Sequence, residues 1–206
     1  MTNEYRCVYF KPWVGKAYHS GGIIGTRVLV LGESHYQWDS KAPHRNSTRE
    51  IVQEIAKSEY RKQFWTNIVI AFLNRRPSKS DMYEFWHSVL FYNYIQSNVG
   101  FGPRIRPKPQ MWEESADPFQ EVLRVHKPHC IVALGETLWN HLPMFGKQGP
   151  DLTVKGVRRD TWLYPVEDTH YALAGRIKHP SAGFSGWHWH PWVRATIELS
   201  EKILKS

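Results

Sequence analysis

Arg27–Tyr36, RVLVLGESHY, carries the apolar run Val28–Leu31 into Gly32 and then into a polar cluster of Glu33, Ser34, His35 and Tyr36. A short apolar run without alternation predicts a strand buried on both faces, as at the centre of a parallel sheet. Gly32 lets the backbone turn sharply or lets a ligand approach it closely. Open α/β sheets bind ligands just beyond the carboxyl ends of their strands, which makes Glu33–Tyr36 a place for chemistry.

The rest of the chain agrees with that class. Two further apolar runs end in polar residues: Ser88–Tyr94, which carries Asn93, and His129–Leu134, which runs into Gly135. Trp162–Val166 and Tyr171–Ala174 are further strand candidates, and the last strand runs into His179-Pro180-Ser181. Helices are predicted between these runs. One starts at Ser47-Thr48-Arg49-Glu50, which has the form of a capping box. A second carries Phe64, Ile68 and Phe72 with Trp65, Val69 and Leu73, and a third covers Met82–His87. Asp117-Pro118 opens another, Glu136–Leu142 is short, and Pro191 opens the last. Residues 1–26 read as an irregular lead-in, and Gly100–Met111 as a basic loop whose prolines exclude regular structure. Its Arg104, Arg106 and Lys108 are expected to contact phosphate. Strands alternating with helices predict one α/β domain over residues 1–206, a three-layer α/β/α sandwich with a mostly parallel central sheet.

The composition narrows the partner. The chain has 206 residues, a net charge of +8, 14% aromatic residues and ten tryptophans. Basic charge with many aromatics suggests stacking on bases together with phosphate contacts. No basic flank precedes an apolar core at the N-terminus, and no apolar run approaches the roughly 18 residues of a membrane span, so neither a signal peptide nor a membrane partner is expected. Cys7 and Cys130 lie far apart, which fits a reducing cytoplasm and leaves a disulfide open. Two cysteines cannot supply a four-cysteine zinc or iron–sulfur site. His188 and His190 alternate with tryptophans, but two ligands do not make a metal site. The chain has no Gly-x-Ser-x-Gly and no phosphate loop.

The ordered set GESHY, VLFYN and HPSAGFSG resembles the uracil-DNA glycosylase superfamily, in which a first motif ends the first strand, an Asn ends a second, and an H-P-S motif precedes a loop that enters DNA. CIVALGETLW is similar to that family's penultimate core strand and its glycine turn. The resemblance spans Arg27 to Trp192. It implies a monofunctional DNA glycosylase that flips a base into a pocket and hydrolyses its bond to the sugar, without a cofactor; a monomer is expected, although the sequence itself does not show the oligomeric state. Cationic character then develops on the sugar and negative charge on the base.

By this resemblance Glu33 or Asp39 supplies the carboxylate near the sugar, and His179 donates to the base carbonyl. Asn93 reads the base edge, Tyr36 crowds the 5-position, and Ser34 and His35 belong to the loop that checks the base. Ser181 and Ser185 flank the DNA, and Phe184 is the wedge that fills the vacated stack. Ser34 stands where uracil enzymes carry Asp, and His35 where they carry Pro. The base is therefore left open between uracil, a damaged base and a modified pyrimidine such as those of phage DNA. No lysine falls in the motifs, so no Schiff-base step is expected. A non-catalytic nucleic-acid-binding domain and a hydrolase of nucleotides or small glycosides are the alternatives.

Overall fold

The computed structural model describes residues 5–37, 41–57, 62–102, 105–181 and 183–205. The run at 28–32 is a strand, buried at every position. Its side chains alternate between two cores: Val28 and Val30 enter one, Leu29 and Leu31 the other. Burial on both faces explains why the run has no polar alternation.

In chain order the strands of the main sheet are β1 (Trp13–Val14), β2 (Val28–Gly32), β4 (Leu90–Asn93), β6 (Cys130–Leu134), β7 (Lys147–Gln148), β10 (Trp162–Pro165) and β11 (Tyr171–Ile177). Two small ladders lie outside it: β3 (His35–Gln37) with β5 (Asn98–Phe101), and β8 (Leu152–Val154) with β9 (Val157–Arg159). The helices are α1 (Ser47–Lys57), α2 (Gln63–Leu73), α3 (Lys79–Ser88), α4 (Pro109–Glu114), α5 (Ala116–His126), α6 (Glu136–Asn140) and α7 (Gly186–Leu204).

The main sheet runs β1-β4-β2-β6-β11-β10-β7 and is mixed. β4, β2, β6 and β11 are mutually parallel. β1, β10 and β7 pair antiparallel at the two sides, which corrects the expectation of a mostly parallel sheet. The cause at β10 is connection length. Pro165 faces Tyr171 across residues 166–170, too short for the crossover of a dozen or more residues that parallel neighbours need. Residues from α1, α2, α3 and α7 fill one core, and residues from α4, α5 and α6 the other.

Local chemistry sets several boundaries. Asn74, in the left-handed region at φ 55°, ends α2. Ser78 and Asp81 form a reciprocal capping box at the start of α3. α1 starts at Ser47, but the Ser47 hydroxyl accepts from His44 N at 2.8 Å and forms no box with Glu50. Two predictions fail. Residues 98–114 contain β5 and α4, because Pro109 sits at the first helical position, where its missing N–H costs nothing. α7 begins at Gly186 behind a Ser185 cap, with Pro191 inside it. The lead-in contributes β1 and two 3₁₀ turns, Tyr18–Ser20 and Gly22–Ile24. No helix among the described residues is long and apolar enough to cross a membrane.

α7 lies across α2 at Gly186, where a β-carbon would come within 2.6 Å of Ile70 Cβ and 2.9 Å of Ala71 N. Gly186→Ala is expected to lower unfolding free energy by about 1–3 kcal/mol through overpacking, read as a shifted denaturation midpoint.

Candidate active site

The parallel ladder brings three strand ends to one edge. Gly32 of β2 pairs in register with Asn93 of β4. The contact continues past the strands, with Tyr94 N donating to Gly32 O and Ile95 N to Glu33 O, both at 2.9 Å. On the other side Gly135 N donates to Ile177 O at 2.9 Å, and His179 follows two residues after β11. Gly135 has φ 122°, and a β-carbon there would stand 3.3 Å from His179 Cβ. Asn67 of α2 donates to Pro180 O at 3.2 Å and pins the turn.

These ends border a cavity of about 580 Å³. Glu33, Ser34, His35, Tyr36, Asn93 and His179 all line it. Its aromatic walls come from Phe64 and Trp65 of α2 and Phe91 of β4, and Lys62 stands at its edge. The ring of Phe64 lies 5.3 Å from that of His179. Thr48 and Ile51 of α1 complete the lining.

His35 is 7% exposed and lines the cavity beside Asn93. Asn93 Nδ2 donates to His35 Nε2 at 3.1 Å, and the Thr48 hydroxyl lies 2.8 Å from the same nitrogen. Burial pushes the His35 pKa down to about 4, so the ring is neutral, and the Asn93 amide donor at Nε2 goes with the tautomer that carries its proton on Nδ1. The amide of Asn93 is thereby held in one orientation. Its backbone carbonyl accepts from Gln96 Nε2 at 2.9 Å.

Glu33 is raised above the usual carboxylate range. Burial is the main cause, opposed by the positive fields of Arg106 and His141. Arg106 Nη1 lies 3.5 Å from Glu33 Oε2. His179 is lowered from its ordinary value by burial first and by Arg106 second. Tyr36 is raised by burial and by the charge of Glu33. A carboxylate, a largely neutral imidazole and a fixed amide therefore face one apolar-walled space, the combination needed for general acid–base and electrostatic work.

No protein-family model matches this chain.

The remaining expected residues lie elsewhere. Phe184 is 9% exposed and stacks on Trp189 with ring centroids 6.4 Å apart, so it packs the loop down instead of projecting from it. Ser185 caps α7 by accepting from His188 N at 3.4 Å. Ser181 is exposed outside the cavity, and Lys108 is exposed at the N-cap of α4. Asp39 and Arg104 lie outside the described residues. His190 Nδ1 donates to Ala71 O at 3.0 Å, and no group of three potential metal ligands occurs among the described residues. Thr48, Lys62 and the aromatic walls are additions that the sequence motifs did not flag.

A second concavity, of about 510 Å³, lies on the other side of α1 between Lys16, Arg49, Lys57 and Tyr83. No carboxylate lines it among the described residues, so they show no acid–base pair there.

The His35 network has a pH signature. The folded pKa near 4 lies below the unfolded value near 6.5, so the unfolded chain binds the extra proton between them. Stability is expected to fall by up to roughly 3 kcal/mol as pH drops through that window, and to level off below it. His129 is also held near 4 and titrates with it. The difference in slope between wild type and His35→Gln, measured by urea denaturation from pH 7 to pH 4, isolates His35. Equal slopes would remove His35 from this account.

Proposed function

We propose that the protein is a monofunctional DNA glycosylase, a member of the three-layer α/β/α uracil-DNA glycosylase class, acting as a monomer in a reducing cytoplasm. The observation that carries this reading is the convergence of Glu33, Asn93 and His179, from three separate strand ends, on one aromatic-walled cavity. The free thiols of Cys7 and Cys130 are compatible with the compartment.

In this reading a nucleotide leaves the duplex and its base enters the cavity between the aromatic walls. The Asn93 amide, oriented by His35 and Thr48, reads the base edge. The C1′–N bond breaks with its electrons on the base, and His179, neutral, donates a hydrogen bond to the base carbonyl as charge grows. Glu33 faces the cationic sugar and orients the water that adds at C1′, while the departing base takes up a proton. Arg106, beside Glu33, contacts a phosphate at the cavity, and the exposed Lys108 and Ser181 contact phosphates farther along the strand. The altered first motif, Ser34 and His35, points to a base other than plain uracil, such as a damaged base or a modified pyrimidine.

Alkaline strand cleavage after incubation with oligonucleotides tests this. The set carries uracil, deaminated purines, and 5-hydroxymethylcytosine with and without an attached sugar. The wild-type protein is expected to open the strand at one of these bases. Glu33→Gln and His179→Ala are each expected to slow release by roughly 10²–10³-fold with DNA affinity retained. Release at the wild-type rate in both variants sinks the site assignment, and no release from any base sinks the activity.

A further inference from the structure

Extruding a base leaves a gap in the stack, and apolar side chains inserted between base steps are a general way to hold such a gap open. The side chain must stand in solvent before DNA arrives. It must also lie beside the cavity mouth, on a backbone that resists being pushed back. Phe184 fails the first condition, being folded against Trp189.

Phe101 meets all three. It is 66% exposed, the most exposed aromatic among the described residues. It ends β5, where its register partner is Gln37, the neighbour of the cavity-wall residue Tyr36. The backbone around it is tied down on both sides. Gly102 N donates to Gln37 O at 2.8 Å, Asn98 Oδ1 accepts from Gly100 N at 3.1 Å, and Asn98 Nδ2 donates to Gln37 Oε1 at 3.4 Å. Val99, two positions earlier in the strand, is anchored in the core. Gly100 and Gly102, at φ 130° and 92°, give Phe101 a flanking geometry that other residues rarely adopt. Arg106 Nη1 lies 3.5 Å from Glu33 Oε2, so the chain beyond β5 meets the cavity lining at that carboxylate.

A single exposed aromatic on an ordinary surface needs no explanation. Here the exposed ring coincides with two positive-φ glycines, a hydrogen-bonded parallel ladder and an arginine at the cavity. We infer that Phe101 is the wedge that stacks into the helix when a base enters the cavity, and that the protein takes double-stranded DNA. This rests on the base-excision reading. The wedge exists to fill a stack, and a single strand offers none that must be kept closed. Arg106 and Lys108, exposed just beyond the wedge, lie where the flanking phosphates pass.

The test uses three probes with wild type and Phe101→Ala. They are a duplex carrying a tetrahydrofuran abasic analogue, the same duplex intact, and the single strand carrying the analogue. The wild-type protein is expected to bind the gapped duplex most tightly. Phe101→Ala is expected to lose about tenfold there, in line with one lost aromatic–base stack, and nothing on the other two probes. Its melting temperature is expected to match wild type, because the ring it removes is in solvent. Wild-type affinity of the variant for the gapped duplex overturns the wedge, as does an equal loss on the single strand. A wild-type protein that releases bases yet shows no preference for the gapped duplex overturns the wedge and leaves base excision standing. A wild-type protein that releases no base and binds none of the probes overturns both.

Discussion

A β-carbon on Gly32 would stand 2.2 Å from Asn93 Oδ1, and the space left by its absence seats the amide at the floor of the cavity. The parallel register places the two residues side by side at the ends of β2 and β4. Any side chain at position 32 would push the amide out of reach of His35 Nε2. The rest of the site follows from that seat. Glu33 is the next residue along, its carbonyl already claimed by Ile95 N, so the backbone fixes where the carboxylate leaves the chain. His35 then turns inward to meet Asn93, and β3 leads the chain out to the rim.

Burial shifts Glu33 and His179, which both line the cavity, in opposite directions. It disfavours charge on both, raising Glu33 and lowering His179. Arg106 opposes burial at Glu33 and reinforces it at His179, since a nearby cation stabilises a carboxylate and destabilises an imidazolium. One cation therefore favours a charged carboxylate beside a neutral imidazole, the pairing that charge separation across a breaking glycosidic bond would use. His35 is different in kind. It is deeper, and what its neutrality protects is the orientation of a neighbour.

The strand ends were legible because their signals are local. Uninterrupted apolar runs closed by Gly32, Asn93 and Gly135 appear as buried parallel strands, and their polar continuations gather where α/β topology puts them. What the sequence hid depends on partners distant in the chain. The β10–β11 hairpin turns through Val166–His170 without the Asn-Gly or Asp-Gly pair that marks tight hairpins. In residues 100–111 the prolines masked both a helix that starts on one of them and a strand whose partner, β3, lies some sixty positions earlier. Pro191 drew the start of α7 to itself, although the Ser185 cap lay upstream. Thr48 and His35 meet across two elements, and nothing in either neighbourhood marks the contact. Phe184 looked free because it follows a turn, yet Trp189 covers it.

Floor and rim are built by different physics, and this bears on how the site would keep its geometry against the polyanion proposed as its substrate. The floor groups are set by ladder hydrogen bonds and burial, which salt and solvent hardly reach. The Glu33–Arg106 pair belongs to the rim, with the arginine side chain 69% exposed, and exposed pairs of this kind contribute little and are screened by salt. Arg106 is therefore not what holds Glu33 in place, because the hydrogen bond from Ile95 and the buried ladder do that without it. An arginine tied so loosely can turn to a phosphate at small cost to the fold. Glu33 then keeps its position, and the field of His141 still opposes burial at its carboxyl.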